Sequence, residues 1–289
     1  MKNLKITILT MLAIFIATTS LQARENLRVG VIFDYGTGHD HIQRPRVAKK
    51  LIKNLNDTFE DSGLSSYYNF QLTKTLSVSF SGGKSKDTLK RNYLRKAYSK
   101  YNGEYAPMLT LQIYQEYYKL DLVVAVMDMG TRNPLGSAMR VIKKGDKIDC
   151  ATFGIVFLNS YDGSGSSSNS KALTDKHVLA HEFGHTFGIQ HGKAVSLIKG
   201  SVHYQPTKMI QKGASGFGKS SGMGKYGTLM TGAYIVNKDS EACAHFFSDK
   251  TRNDCGKSHN KPCGDSNANA VQVLKNNASK YGKRSEWYN

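Results

Sequence analysis

Hydrophobic residues along this chain fall into periods that predict most of its elements. Leu27, Val29, Val31 and Phe33 alternate with other residues, the period-two pattern of a strand. Val47, Leu51, Leu55 and Phe59 recur every four residues and predict an amphipathic helix over about 42–62. Threonine, serine, valine and phenylalanine dominate 70–80, which reads as a second strand. Leu89, Tyr93, Ala97 and Tyr101 form another helical stripe, ringed by Lys90, Arg91, Arg95, Lys96 and Lys100. That basic helix suits either a solvated face or contact with an anionic surface. Asp121–Met127 is almost unbroken in its apolar character, as expected of a central strand buried on both faces, and Ala151–Leu158 reads as a further strand. The Gly/Ser/Asn-rich stretch Asp162–Ser170 predicts a surface loop. Thr174 then stands where a helix N-cap belongs, with Asp175 in the favourable first turn.

Strands and helices alternate up to this point, so the class is α/β (α+β). After His191 the periodicity fades into glycine, serine and lysine until Val271, Leu274 and Ala278 predict a last helix over about 267–280. The expected layout is one domain with a sheet-rich upper half, about 24–191, an irregular lower half, about 192–289, and a cleft between them.

The first residues have a different character. Lys2 and Lys5 precede the apolar run Ile6–Ala17, and small and polar residues then lead to Leu21-Gln22-Ala23. This order predicts a signal peptide, 1–23, cleaved after about Ala23, and hence export to the periplasm or the extracellular space. The run falls short of the roughly 18–20 apolar residues that a membrane span needs, and no other segment reaches that length. The full chain carries a net charge of +18; losing residues 1–23 removes two lysines and no acid, leaving +16. Such a charge favours anionic partners without naming one, and no nucleic-acid-reading motif accompanies it. Cys150, Cys243, Cys255 and Cys263 are the four cysteines, an even number that predicts two disulfides in an oxidising compartment. Their spacing alone leaves three pairings open.

Chemistry enters at 181–191, His-Glu-Phe-Gly-His-Thr-Phe-Gly-Ile-Gln-His. His181 and His185 are four apart, so a helix places both imidazoles on one face, where they can share an ion. Gly188 stands where the helix must end, because glycine takes the left-handed conformation that reverses the chain. The turn returns His191 as third ligand, and three neutral imidazoles with an open fourth position are what a catalytic zinc requires. Zinc there would lower the pKa of its bound water towards about 7, and Glu182 would take the proton as general base. His177, four residues before His181, reads as a solvent-facing or supporting residue rather than a ligand.

This motif resembles that of the metzincin clan of zinc endopeptidases. The clan's second hallmark is a tight turn carrying a methionine beneath the histidines. Gly227-Thr228-Leu229-Met230-Thr231-Gly232 is similar to it and makes Met230 the candidate floor of the site, with Met223 a weaker rival. Phe246-Phe247-Ser248 and Pro262-Cys263-Gly264-Asp265 are similar to the tail of adamalysin/reprolysin-type proteases and their bacterial relatives, although Gly192 stands where that family usually has aspartate. The resemblance implies a metzincin-like catalytic domain, with a twisted, mostly parallel sheet, helices above the cleft and an irregular half below it. It also implies Cys150–Cys263 and Cys243–Cys255 pairing, and a protein or peptide substrate lying extended along an edge strand near Ala151–Leu158. Two other functions fit the same residues: a narrow-specificity toxin or processing protease, and a basic exported binding module with a silent zinc site. An intact Glu182 argues against the module, since a structural ion has no use for a base.

Overall fold

Strand β1, Glu25–Asp34, buries Leu27, Val29, Val31 and Phe33 on one face and Ile32 on the other, because it lies inside a sheet. In the computed structural model this sheet has five strands, in the order β2-β1-β3-β7-β4. The structure describes residues 24–37, 42–79, 106–127, 136–138, 142–144, 147–149, 154–160, 175–191, 213–219, 226–230, 245–255 and 260–282. The other sheet strands are β2 (Tyr68–Val78), β3 (Leu122–Met127), β4 (Gly136–Ala138) and β7 (Ile155–Asn159). β2, β1, β3 and β7 run parallel, whereas β4 pairs antiparallel with β7. Two short strands, β5 (Ile142–Lys144) and β6 (Lys147–Asp149), form a separate antiparallel pair.

The period of two sorts the sheet's side chains between two cores. Leu27, Val29, Val31, Leu122, Val124, Val126, Val156 and Leu158 face one, and Ile32, Val123, Ala125, Ile155 and Phe157 face the other. Helix α1, Gln43–Asp61, covers the first face with Ala48, Leu51, Ile52, Leu55 and Phe59. Helix α2, Ala106–Tyr117, covers the second through Leu111, with Tyr114 and Tyr118 packed alongside. Helices α3 (Val178–Thr186) and α4 (Ala270–Gly282) share the first core with α1. At its centre Phe59 meets Phe70 at 4.6 Å, Phe247 at 5.3 Å, Tyr68 at 5.4 Å and Phe187 at 6.2 Å between ring centroids, each edge-on.

Two expectations are corrected here. The strand at 155–159 is interior, held between β3 and β4, so it has no free edge to offer an extended peptide. Among the described residues the sheet ends at β4, whose Gly136, Ser137 and Ala138 oppose Leu158, Phe157 and Val156. Among the described residues a disulfide joins Cys255 to Cys263, in place of the Cys150–Cys263 and Cys243–Cys255 pairing that the resemblance implied. Its cause is local: Cys255 and Lys261 exchange backbone hydrogen bonds of 2.9 and 3.0 Å, which folds the segment back and sets the two cysteine Cα atoms 5.3 Å apart. Cys150 and Cys243 lie outside the described residues, as do the signal-peptide stretch, the basic helix at 89–101, the loop 162–170, Thr174, Gly192 and Met223. No helix among the described residues is long and apolar enough to cross a membrane.

Candidate metal centre

Every residue of α3 is buried, so this helix runs through the interior rather than over the surface. Val178, Leu179, Phe183 and, just beyond it, Phe187 fasten it to the core. At its start the Asp175 carboxylate accepts the His177 N–H at 2.9 Å, and the His181 N–H donates to the His177 carbonyl at 2.9 Å. At its end Ile189 N–H donates to the Gly184 carbonyl at 2.9 Å and Gly188 N–H to the His185 carbonyl at 3.0 Å. This paired closure needs a left-handed residue, and Gly188 has φ +85°. Nothing lies within 4 Å of where a Cβ would sit, so conformation and not space selects glycine there.

The reversal brings His191 against the helix. His191 Nε2 lies 3.0 Å from His181 Nε2 and 3.1 Å from His185 Nε2. The other nitrogens of the helical pair are committed: His181 Nδ1 donates to the Leu229 carbonyl and His185 Nδ1 to the Ile189 carbonyl, each at 2.8 Å. With the proton on Nδ1, each Nε2 presents a bare lone pair towards the same point. His191 can offer at most one proton to two such neighbours, so the cluster suits a cation. A tetrahedral zinc with nitrogens at 2.0–2.1 Å would space them about 3.3 Å apart, close to what is seen. These three are the group of side chains among the described residues placed to hold a metal. Burial pushes the His181 imidazole below its ordinary value, against the opposing pull of the Leu229 carbonyl, and so favours the neutral ligand form.

The chain around the histidines is braced from the lower half. Gln190 N–H donates to the Ala214 carbonyl at 2.9 Å, and Gly216 N–H to the Gln190 carbonyl at 3.0 Å. Ser248 Oγ donates to the Ser215 carbonyl at 2.6 Å and accepts the Ala270 N–H at 3.0 Å, linking this brace to the start of α4. Met230 is fully buried, and a Cβ on Gly184 would meet its Sδ at 2.7 Å and Phe247 Cε1 at 2.9 Å. The methionine turn therefore touches α3 between the two helical histidines, and its Leu229 carbonyl fixes the tautomer of His181. Gly184→Ala gains about 1 kcal/mol of helix propensity but must displace both neighbours, at about 1–3 kcal/mol. We expect a net loss, read as a lower urea midpoint; an unchanged or raised midpoint would show that the contact is not tight.

Glu182 is 8% exposed and lies against Gly136 of β4. His177 does not face solvent: it is 3% exposed, its Nδ1 lies 3.3 Å from Thr58 Oγ1, and its ring stacks on His245 at 4.2 Å and 9°. Sequence reasoning missed His245, Gly136 and the Ser215–Ser248 brace, because each acts across a gap in sequence that no local spacing reveals.

Burial first, then the nearby His245 and Lys176, pushes His177 from 6.5 down to about 4, with Asp175 opposing. The fold thus holds this ring neutral while an unfolded chain protonates it near 6.5. Its contribution is fully present above about pH 6.5 and is lost as pH falls towards 4, by about 3 kcal/mol. Urea unfolding at pH 7 and pH 4.5, with chelator present throughout, should show a smaller acid loss in His177→Gln than in wild type. Equal losses would mean that His177 does not titrate this way.

A parallel sheet closed by one antiparallel strand, with an interior helix that presents two histidines to a third, is the architecture of a metzincin-type metallopeptidase. The sequence model of the M12B reprolysin-like metallo-peptidases matches residues 48–192, and the chain belongs to that family. Among solved structures it is similar to a chain in a structure of a chaperone–substrate complex, with a TM-score of 0.56 at 15% identity over 90% of this chain. At that identity the likeness is one of fold, and this chain spans 35% of that one. No curated protein matches it in sequence.

Proposed function

We propose that this chain is an exported zinc endopeptidase whose residues 1–23 are a signal peptide and whose residues 24–289 form the catalytic domain. The observation that carries the reading is the convergence of the His181, His185 and His191 Nε2 atoms at 3.0–3.1 Å, with both helical Nδ1 protons turned away. A zinc ion held by these nitrogens would supply Lewis acidity, activating water as a nucleophile near neutral pH and polarising a carbonyl. Glu182 would accept a proton from the attacking water and pass it to the departing amine. The peptide lies extended along β4, adding to the sheet's end by backbone pairing, beside the glutamate that serves it. Met230 and the turn around it form the floor of the site, and Gly188 sets the reversal that delivers His191.

The test is digestion of a proteome-derived peptide library by the protein purified from residue 24 onward, with cleavage sites read by mass spectrometry. Internal cuts that vanish with chelator and return with zinc are expected. Absence of cuts by a folded, zinc-loaded protein would overturn the general endopeptidase reading. Cuts at very few sites would instead favour a narrow-specificity enzyme.

A further inference from the structure

We propose that Gly136 is a positioning residue, which sets Glu182 at the correct distance from a peptide paired to β4. A Cβ added to Gly136 would lie 2.6 Å from Glu182 Cγ, 2.8 Å from Oε1 and 2.9 Å from Cδ. All three nearest atoms belong to this one side chain, and all three separations are shorter than real Cβ contacts allow. The glutamate therefore rests on the bare backbone of the sheet's terminal strand. That strand is only three residues long and is paired to β7 across Leu158, Phe157 and Val156, so its height relative to the sheet is set by the core. Helix α3, which carries Glu182, packs on the same core through Leu179 and Phe183.

The chemistry follows from which part can move. A methyl group at 136 faces the flexible end of a glutamate, not backbone, so the side chain gives way and the fold does not. The carboxylate is displaced while His181 and His185, held by the Leu229 and Ile189 carbonyls, and His191, delivered by the turn at Gly188, stay in place. Substrate binding along β4 uses backbone groups that glycine and alanine share, so it is preserved. The side chain that residue 136 meets first is thus that of Glu182. This rests on the endopeptidase reading, and it adds that the strand receiving the peptide also gauges the base.

The experiment compares wild type, Gly136→Ala, Glu182→Ala and the double variant for zinc content, melting temperature, kcat and KM on one peptide cut by wild type. Gly136→Ala should keep its zinc and lose about 100-fold in kcat with little change in KM, the scale expected of an ångström-size misplacement. On the Glu182→Ala background the same substitution should remove no further activity. Any fall in melting temperature caused by Gly136→Ala should disappear in the double variant, where the colliding atoms are gone. Wild-type kcat in Gly136→Ala, a loss carried by KM or by zinc, or a melting deficit that persists without the Glu182 side chain would each overturn the proposal. A wild type that cuts no peptide would instead count against the endopeptidase reading, and the melting comparison would still report on the contact.

Discussion

Replacing Glu182 by glutamine should lower kcat by about 1,000-fold while leaving bound zinc and the melting temperature close to wild type. Glutamine has nearly the shape of glutamate, so it fills the same space against Gly136. What it lacks is a site for the proton. Since His181 and His185 take their orientation from the Leu229 and Ile189 carbonyls, nothing in the exchange disturbs the metal donors. The measurement is a steady-state rate on a cleaved peptide, paired with metal analysis of the same sample. Activity within about tenfold of wild type would remove Glu182 from the role of base. Lost zinc would show that the carboxylate matters to the ion rather than to the proton.

The second large effect is on the fold. Phe59→Ala should cost about 4 kcal/mol, seen as a lower urea midpoint with an unchanged slope. Phe59 is 1% exposed and touches aromatic rings from β2, from the end of α3 and from the segment after residue 245. Its removal leaves a cavity walled by elements that are themselves held in place by hydrogen bonds, so the site can collapse only in part. Tyr68 Oη donates to the Leu274 carbonyl at 2.6 Å and cannot follow its ring inward without losing that bond. A loss under about 1 kcal/mol would show that the cluster relaxes freely.

Much of this fold was legible in the chain because its helices and strands differ in period. The four-residue spacing from Val47 to Phe59 marked α1 to within a residue or so, and the alternation of β1 and the apolar run of β3 stood out. Helix α2 escaped because Ile113 and Tyr117 are exposed while Leu111 and Gln115 are buried, so its apolar residues do not mark one face. β4 escaped because three residues carry no period, although they decide where the sheet ends. The convergence of the three histidines was legible because a helix, a glycine turn and fixed offsets bring them together within eleven residues. The disulfide was not, since a short backbone pairing between Cys255 and Lys261 overrode the long-range partner that the family resemblance implied.

Tyr281 Oη donates to the Phe187 carbonyl at 2.6 Å, closing off the end of the helix that bears His181 and His185. A chain is made from its N-terminus, so both histidines exist long before residue 281 does. Until α4 docks, the bonds from Tyr281 and Ala270 are missing from this frame, while the turn delivering His191 keeps its own closure and its bonds to Ala214 and Gly216. The frame around the histidines is therefore complete only once α4 has docked: a chain cut before residue 270 carries the whole motif without two of the bonds that surround it.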